Sequence, residues 1–313
     1  MNKKFTRESI VQRAAQEGYA FKHFSLEHVG RYSAEDADWN YKDIPHLHFV
    51  HHLAEAIPTM ISDDFITTLN TQMMFGMKVP LTVVNYESGP GEQTYYTTLF
   101  WFILVIQTRF FELAPLQTTV TTTYSIGMPK MLRWFFPLLR WTITRNYRVL
   151  MTADVPMRER RGELRSRGFG FSREHPTYSF ADTTLITRQN VTPPPRNSET
   201  PILDIDLKAA VQSATESLLG TDDDLGVRAK REGSIVELFP RICPHEGACL
   251  DGSPVEEGKV KCPWHGRQFT AICTVNLADP DFTGEYLTTF SRVVIRGTRL
   301  TLFSRGPREQ QAR

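Results

Sequence analysis

Two short segments late in the sequence each carry a cysteine and a histidine: Cys243-Pro244-His245-Glu246-Gly247 and Cys262-Pro263-Trp264-His265-Gly266. Sixteen residues separate His245 from Cys262. A thiolate and an imidazole from each of two tight loops suffice to enclose a 2Fe-2S cluster, with two cysteines on one iron and two histidines on the other. Neutral histidine ligands raise the reduction potential of such a cluster above that of an all-cysteine one. Two Cys and two His are also a tetrahedral zinc set. The flanking Pro, Gly and Trp residues and the single residue between Cys243 and His245 disfavour zinc. A second concentration lies near the other end, where His46, His48, His51 and His52 place four of the nine histidines within seven residues. On a regular helix His48 and His52 share a face, whereas His46 and His51 do so only if the helix is distorted. Taken alone, such histidines suit a surface or a hydrogen-bonded core as well as a metal.

These groups need a scaffold, and the sequence offers two. Leu81 to Glu87 and Thr94 to Thr108 read as strands joined through Ser88-Gly89-Pro90-Gly91, and Thr118 to Tyr124 is β-branched enough to be a third. Long side chains with few glycines follow from Met131 to about Arg165, predicting one or two helices interrupted at Pro137 and Pro156. Asn190 to Pro201, with Pro193-Pro194-Pro195, cannot continue a helix or a central strand and reads as a linker. Beyond it, Asp206 to Leu219 has helical apolar spacing and ends at Gly220. Ser234 to Phe239, Lys259 to Cys262, Ser291 to Arg296 and Arg299 to Phe303 are short strands of a small all-β module.

The paired loops resemble the Rieske family, whose patterns Cys-Pro-His-x-Gly and Cys-Pro-Trp-His-Gly-x-x-Phe match nearly residue for residue through Phe269. Respiratory-chain members add a disulfide between the loops. Here Trp264 stands where the second loop would need a cysteine, and Cys249 is offset. The resemblance is therefore to the oxygenase or ferredoxin type, with Cys249 and Cys273 ordinary buried thiols. The histidine cluster is similar to Asp-x-x-His-x-x-x-x-His of the Rieske non-haem iron oxygenases, the steroid and isoprenoid type in particular. Asp43, His46 and His51 fit that spacing, Asn40 stands three residues ahead as in several members, and His48 and His52 are then extras. The third iron ligand of that family is a carboxylate on a long helix within a sequence like Asp-Ile-Pro-Ile-Trp. Asp154-Val155-Pro156-Met157 is similar, which makes Asp154 the candidate.

The resemblance implies an α+β chain. Its parts are an N-terminal helical extension (1–33), a helix-grip-like antiparallel sheet with a long C-terminal helix forming a mononuclear-iron domain (34–189), the proline-rich linker (190–201), an all-β Rieske domain (202–306) and a polar tail (307–313). It implies a 2Fe-2S cluster on Cys243, His245, Cys262 and His265, and Fe(II) on His46, His51 and Asp154 with open positions for dioxygen. Asp43 would connect a cluster histidine to an iron histidine, often across a subunit boundary in a homotrimer. Electrons would come from a ferredoxin or ferredoxin reductase, since no dinucleotide-binding glycine fingerprint is visible. The expected reaction is hydroxylation, desaturation or oxidative demethylation of a hydrophobic polycyclic or isoprenoid molecule. This sequence departs from the family in placing the Rieske module after the catalytic domain. The rival expectation is a Rieske electron-transfer protein fused to a metal-free lipid-binding domain.

Composition bounds the rest. Thirty-six Lys and Arg against 35 Asp and Glu give a net charge of +1, so no global basic field recommends a nucleic-acid partner. Four cysteines cannot make a disulfide framework, and the polar start Met1-Asn2-Lys3-Lys4-Phe5 points to a cytoplasmic protein. The longest apolar run, Leu99 to Ile106, is less than half of the roughly 20 residues a membrane helix needs. Lys130 to Arg167 holds ten Lys or Arg and three Asp or Glu, interleaved with Trp134, Phe135, Phe136 and Trp141. That stretch suits a peripheral membrane contact, or a helix packing its aromatics inward beneath solvated arginines. Arg158, Arg160 and Arg161 alternatively suit docking of an acidic electron donor. Phe100 to Ile106 is apolar on both strand faces, so one face can line a cavity for a greasy substrate.

Overall fold

The computed structural model describes residues 6–44, 46–51, 54–61, 65–74, 77–172, 177–178, 185–186, 191–195, 199–212, 214–220 and 225–305. The chain divides into two compact units, Met1–Glu163 with Tyr178–Leu185, and Leu164–Thr177 with Ile186–Arg313. The proline-rich segment thus folds with the C-terminal unit, where Val191–Thr192 pair with Gly170–Phe171.

In the N-terminal unit, helix α1 (Arg7–Gln16) starts at Thr6, whose hydroxyl accepts the Ser9 amide. Strand β1 (Tyr19–Gly30) leads to α2 (Ala34–Lys42), which opens on a reciprocal capping box between Ser33 and Asp36. Six strands follow: β2 (Ala54–Ile61), β3 (Phe65–Met74), β4 (Met77–Gly89), β5 (Glu92–Leu99), β6 (Phe102–Ala114) and β7 (Gln117–Pro129). They form an antiparallel meander, and β1 returns beside β7 to give the order β1-β7-β6-β5-β4-β3-β2. The 31-residue α3 (Phe136–Ser166) runs through Pro156 without ending. Its Ile143, Tyr147 and Met151 pack on Phe24, Tyr124, Ile126 and Met128 of β1 and β7. This is the expected helix-grip arrangement: a curved antiparallel sheet closing on one long helix. Gly162 permits a close approach, because a Cβ there would lie 2.2 Å from the Arg31 carbonyl oxygen.

Three expectations about elements are corrected. The stretch expected to be a helical extension (1–33) does hold helix α1, but Tyr19–Gly30 within it is an edge strand registered along β7 from Tyr19↔Pro129 to Gly30↔Thr118. Its period-two pattern, with Phe24 and Leu26 facing the core, signals a strand more weakly than the Thr-rich β7. Thr94 to Thr108 is not one strand but β5 and β6, turning at Phe100-Trp101. Phe100 takes a left-handed φ of 51° in a turn with none of the usual turn residues, so the sequence signals no break. Asp206 to Leu219 is a single helical turn, Leu207–Ala210, followed by strand Glu216–Gly220. Pairing of that strand with Gly226–Glu232 overrides the local helical periodicity.

Besides the short Gly170–Phe171 and Val191–Thr192 ladder, the described part of the C-terminal unit holds three small antiparallel sheets. Pro201–Asp206 joins Thr283–Leu287, Ser291–Arg296 and Arg299–Ser304; Glu216–Gly220 joins Gly226–Glu232, Ile235–Pro240 and Cys273–Asn276; Val255–Glu256 joins Lys259–Lys261 and Gln268–Thr270. Val227, Ala229, Val236, Leu238, Val275, Val293, Ile295, Leu300 and Leu302 form the common core of the first two. Among the described residues no helix is long and apolar enough to cross a membrane.

Candidate metal centres

Each cysteine-histidine segment folds the same way. The Cys243 amide donates to the Ala248 carbonyl and the Gly247 amide to the Cys243 carbonyl; the Cys262 amide donates to the Arg267 carbonyl and the Gly266 amide to the Cys262 carbonyl. Gly247 and Gly266 take φ of 87° and 66°, a conformation few side chains tolerate. The two turns therefore present Cys and His in matching poses. All four side chains are buried. His245 Nδ1 and His265 Nδ1 lie 3.3 Å apart with their rings steeply inclined. Burial and the neighbouring Cys262 push the Cys243 thiol up, while the hydrogen bond from Cys243, with His265 beside it, holds Cys262 well below the usual thiol range. A thiolate is the ligand form of cysteine. Two thiols and two imidazole nitrogens, converging and buried, are the donor set a histidine-ligated 2Fe-2S cluster needs. Arg228 braces the first loop, donating to the Leu250 and Ser253 carbonyls. Cys249, expected to be buried, is exposed, whereas Cys273 is buried as expected.

The second group is assembled from distant residues. After α2 ends at Asp43, a π-helical turn, Leu47–His51, carries the chain forward. Its extra residue per turn is the distortion that brings His46 and His51 together, with ring centroids 5.1 Å apart. Asp154 comes from α3. Its Oδ1 lies 2.8 Å from His51 Nε2 and 3.3 Å from His46 Nε2. The ligand atoms of the three residues all fall within 4.8 Å of one another, and all three residues are buried. His46 Nδ1 donates to the Asp43 carbonyl and lies 3.5 Å from the Asp43 carboxylate, so Asp43 sets the ring's orientation and tautomer. His46 Nε2 is buried and makes no well-directed hydrogen bond, and with Asp154 Oδ1 3.3 Å away it faces the cluster of ligands. Burial alone would lower the His46 pKa, but Asp154 and Asp43 outweigh it and push it up to about 9. Burial would likewise raise the Asp154 carboxyl, yet His46, His51 and Arg158 hold it below the usual range. His52 and the side chain of His48 lie outside the described residues.

Two arginines fasten α3 to α2. Arg158 Nε donates to Asn40 Oδ1 at 2.7 Å and its Nη2 lies 3.6 Å from Asp154 Oδ2; Arg161 Nε pairs with Asp36 Oδ1 at 2.9 Å. Arg158 also stacks over Tyr41 and Arg161 over Trp39. Arg158 and Arg161 are 0% and 2% exposed, so they are not the surface for an acidic donor that their charge suggests. Their role was missed in the sequence, although Asp36 and Asn40 share a face of α2, as Arg158 and Arg161 do of α3. The aromatic stretch is divided. Phe136 packs inward, whereas Trp134 and Trp141 are 68% and 59% exposed.

A cavity of about 220 Å³ opens beside His46, His51 and Asp154, walled by Ile44, Ile66, Val83, Ile106, Leu150 and Met151. Of the apolar run Phe100 to Ile106, Ile106 lines this cavity, while Phe102 and Leu104 pack in the core with α3.

No curated protein matches the chain. Among solved structures it is similar to the ZhuI aromatase/cyclase from Streptomyces sp. R1128 (14% identity, TM-score 0.40, 45% of this chain and 96% of that one). It is also similar to a START superfamily protein from Mycobacterium smegmatis (11%, 0.37, 45% and 98%) and to norcoclaurine synthase from Thalictrum flavum (11%, 0.36, 50% and 95%). Residues 207–290 match the family described as Rieske [2Fe-2S] domain. The C-terminal unit therefore contains a Rieske domain, which implies a 2Fe-2S cluster and an electron-transfer role.

Proposed function

We propose that the protein is a Rieske-type non-haem iron oxygenase, with Cys243, His245, Cys262 and His265 holding the cluster and His46, His51 and Asp154 holding a mononuclear Fe(II). The observation that carries this reading is the convergence of His46 Nε2, His51 Nε2 and Asp154 on one buried point at the wall of an apolar cavity. Fe(II) on two histidines and one carboxylate keeps positions open for dioxygen, and the cluster supplies electrons singly.

The chain's own groups do the positioning. Asp43 holds the proton on His46 Nδ1 so that Nε2 offers its lone pair. Asp154 supplies the negative charge that offsets a divalent cation, and Arg158 fixes its outer oxygen. Ile66, Ile106 and Met151 hold a hydrophobic substrate against the ligands and keep bulk water away. The substrate is hydroxylated, desaturated or demethylated, with electrons from a ferredoxin or its reductase.

Iron and acid-labile sulfide per chain, measured after anaerobic Fe(II) addition and removal of excess, test the assignment. About three irons to two sulfides, falling to about two irons in His46→Ala and Asp154→Ala, is the expected result. About two irons in all three proteins would leave a Rieske electron carrier fused to a ligand-binding domain, a reading that the cavity alone also suits.

The exposed aromatics belong to a peripheral membrane contact. Ile103 pairs with Gly127 and Tyr19 with Pro129, so the Phe100-Trp101 turn and the segment from Lys130 sit at the same end of the sheet. Phe100, Trp101, Met131 and Trp134 are exposed there beside Lys130 and Arg133, a composition suited to anionic lipid headgroups.

A further inference from the structure

Helix α3 carries two apolar stripes where a surface helix needs one. Leu139, Ile143, Tyr147 and Met151 recur every four residues and pack on the sheet. Leu138, Trp141, Arg145 and Val149 recur every three or four residues on another face, and of these Leu138, Trp141 and Val149 are 50%, 59% and 47% exposed. Single exposed hydrophobic residues need no explanation, but a row of them along one helix marks a contact surface. The row covers about 16 Å of helix. It takes over from the exposed Met131 and Trp134, since Lys130–Phe135 runs directly into Phe136.

The charge along this face is one-sided. Between Lys130 and Ala153 stand five Lys or Arg and no Asp or Glu. Arg140, Arg145 and Arg148, all exposed, line a groove of about 690 Å³ in which Leu26, Phe136, Trp141 and Val149 supply apolar surface. Arg140 lies over the Phe24 ring at 5.6 Å and Arg145 over Trp141 at 5.8 Å. Such ring contacts orient a guanidinium without neutralising it. Among the described residues no side-chain hydrogen bond or ion pair joins any of the three arginines. Their planar forks match phosphate oxygens, and tryptophan rings settle at headgroup depth with arginine stems laid over hydrocarbon. An acidic protein would answer the arginines but not an apolar row that carries on to Met131 and Trp134; an anionic lipid surface answers both. We infer that the peripheral membrane contact, on whose reading this rests, extends along α3: the helix lies lengthwise on anionic lipid, with headgroup phosphate held among Arg140, Arg145 and Arg148 and lipid hydrocarbon on Leu138, Trp141 and Val149. A contact confined to the Phe100-Trp101 end of the sheet would leave that face in water.

The test uses the full-length, cluster-loaded protein and phosphatidylcholine vesicles with and without phosphatidylserine, the phosphatidylcholine brominated on its acyl chains to quench tryptophan fluorescence. Trp101→Phe with Trp134→Phe silences the tryptophans at the sheet end. In that variant brominated lipid is expected to quench Trp141, and adding Trp141→Phe should abolish the quenching, with Trp39 and Trp264 as the background it leaves. Arg140→Gln with Arg145→Gln and Arg148→Gln should weaken binding to phosphatidylserine vesicles about 10- to 100-fold, with the cluster spectrum and the denaturation midpoint unchanged. Undiminished binding by the triple variant, or equal binding to vesicles lacking phosphatidylserine, overturns the inference. So does quenching of Trp101 and Trp134 with Trp141 untouched, which leaves the contact at the sheet end standing. No association with any vesicle overturns the membrane contact itself and leaves the groove to an acidic protein.

Discussion

In the C-terminal unit four candidate ligands occur between residues 243 and 265, on two turns with the same amide pattern and the same left-handed glycine. In the N-terminal unit His51 and its carboxylate partner are 103 residues apart and come from a π-helical turn and a long helix. The first set is written into the chain as turns, so each turn poses its own cysteine and histidine through local hydrogen bonds. The second exists only once α2 and α3 are fastened, and the chain spends two buried arginine pairs on that. Local ligand sites tolerate change elsewhere; assembled ones depend on their supports.

The sharpest break is at the local site. Cys262→Ser removes a thiolate and should abolish the cluster, with acid-labile sulfide falling to zero and iron to about one per chain. Next, His51→Ala should remove the assembled site alone, lowering iron from about three to about two with the cluster's visible spectrum unchanged. The dependence on supports is read by Arg158→Met, which takes away the group beside Asp154 Oδ2 and the donor to Asn40. Affinity for added Fe(II) should fall about 10- to 100-fold while sulfide stays at two. Asp36→Ala, which leaves Arg161 buried without its carboxylate, should lower the denaturant stability of the N-terminal unit by about 3–5 kcal/mol and leave the cluster intact. If either support variant bleached the cluster as readily as it lost Fe(II), the contrast between local and assembled sites would fail. The smallest effect is expected from Trp134→Ala with Trp101→Ala, which should weaken co-sedimentation with phosphatidylserine vesicles several-fold and move neither metal count.

How much of this was legible follows the same division. The cysteine-histidine loops were readable because residue types at fixed spacing in a turn are a local property. The strands of the meander were readable where β-branched residues cluster, as in β7, and lost where a break lacked turn residues, as at Phe100-Trp101. The proline-rich segment was readable as an end to regular structure, but not the pairing of Val191–Thr192 with Gly170–Phe171, because pairing partners are not encoded nearby.

For the histidines, spacing alone favoured His48 with His52, and only a family resemblance preferred His46 with His51. The sequence by itself determined the donor chemistry of the late loops, the sheet-then-helix order of the first unit and the presence of a π-distortable histidine run. The tertiary structure alone decided that a π turn brings His46 and His51 together, that Asp154 meets them, and that Arg158 and Arg161 are buried braces. Those outcomes depend on contacts between residues dozens to more than a hundred positions apart, and the identity of one residue carries no record of which distant group will desolvate it, pair with it or turn it.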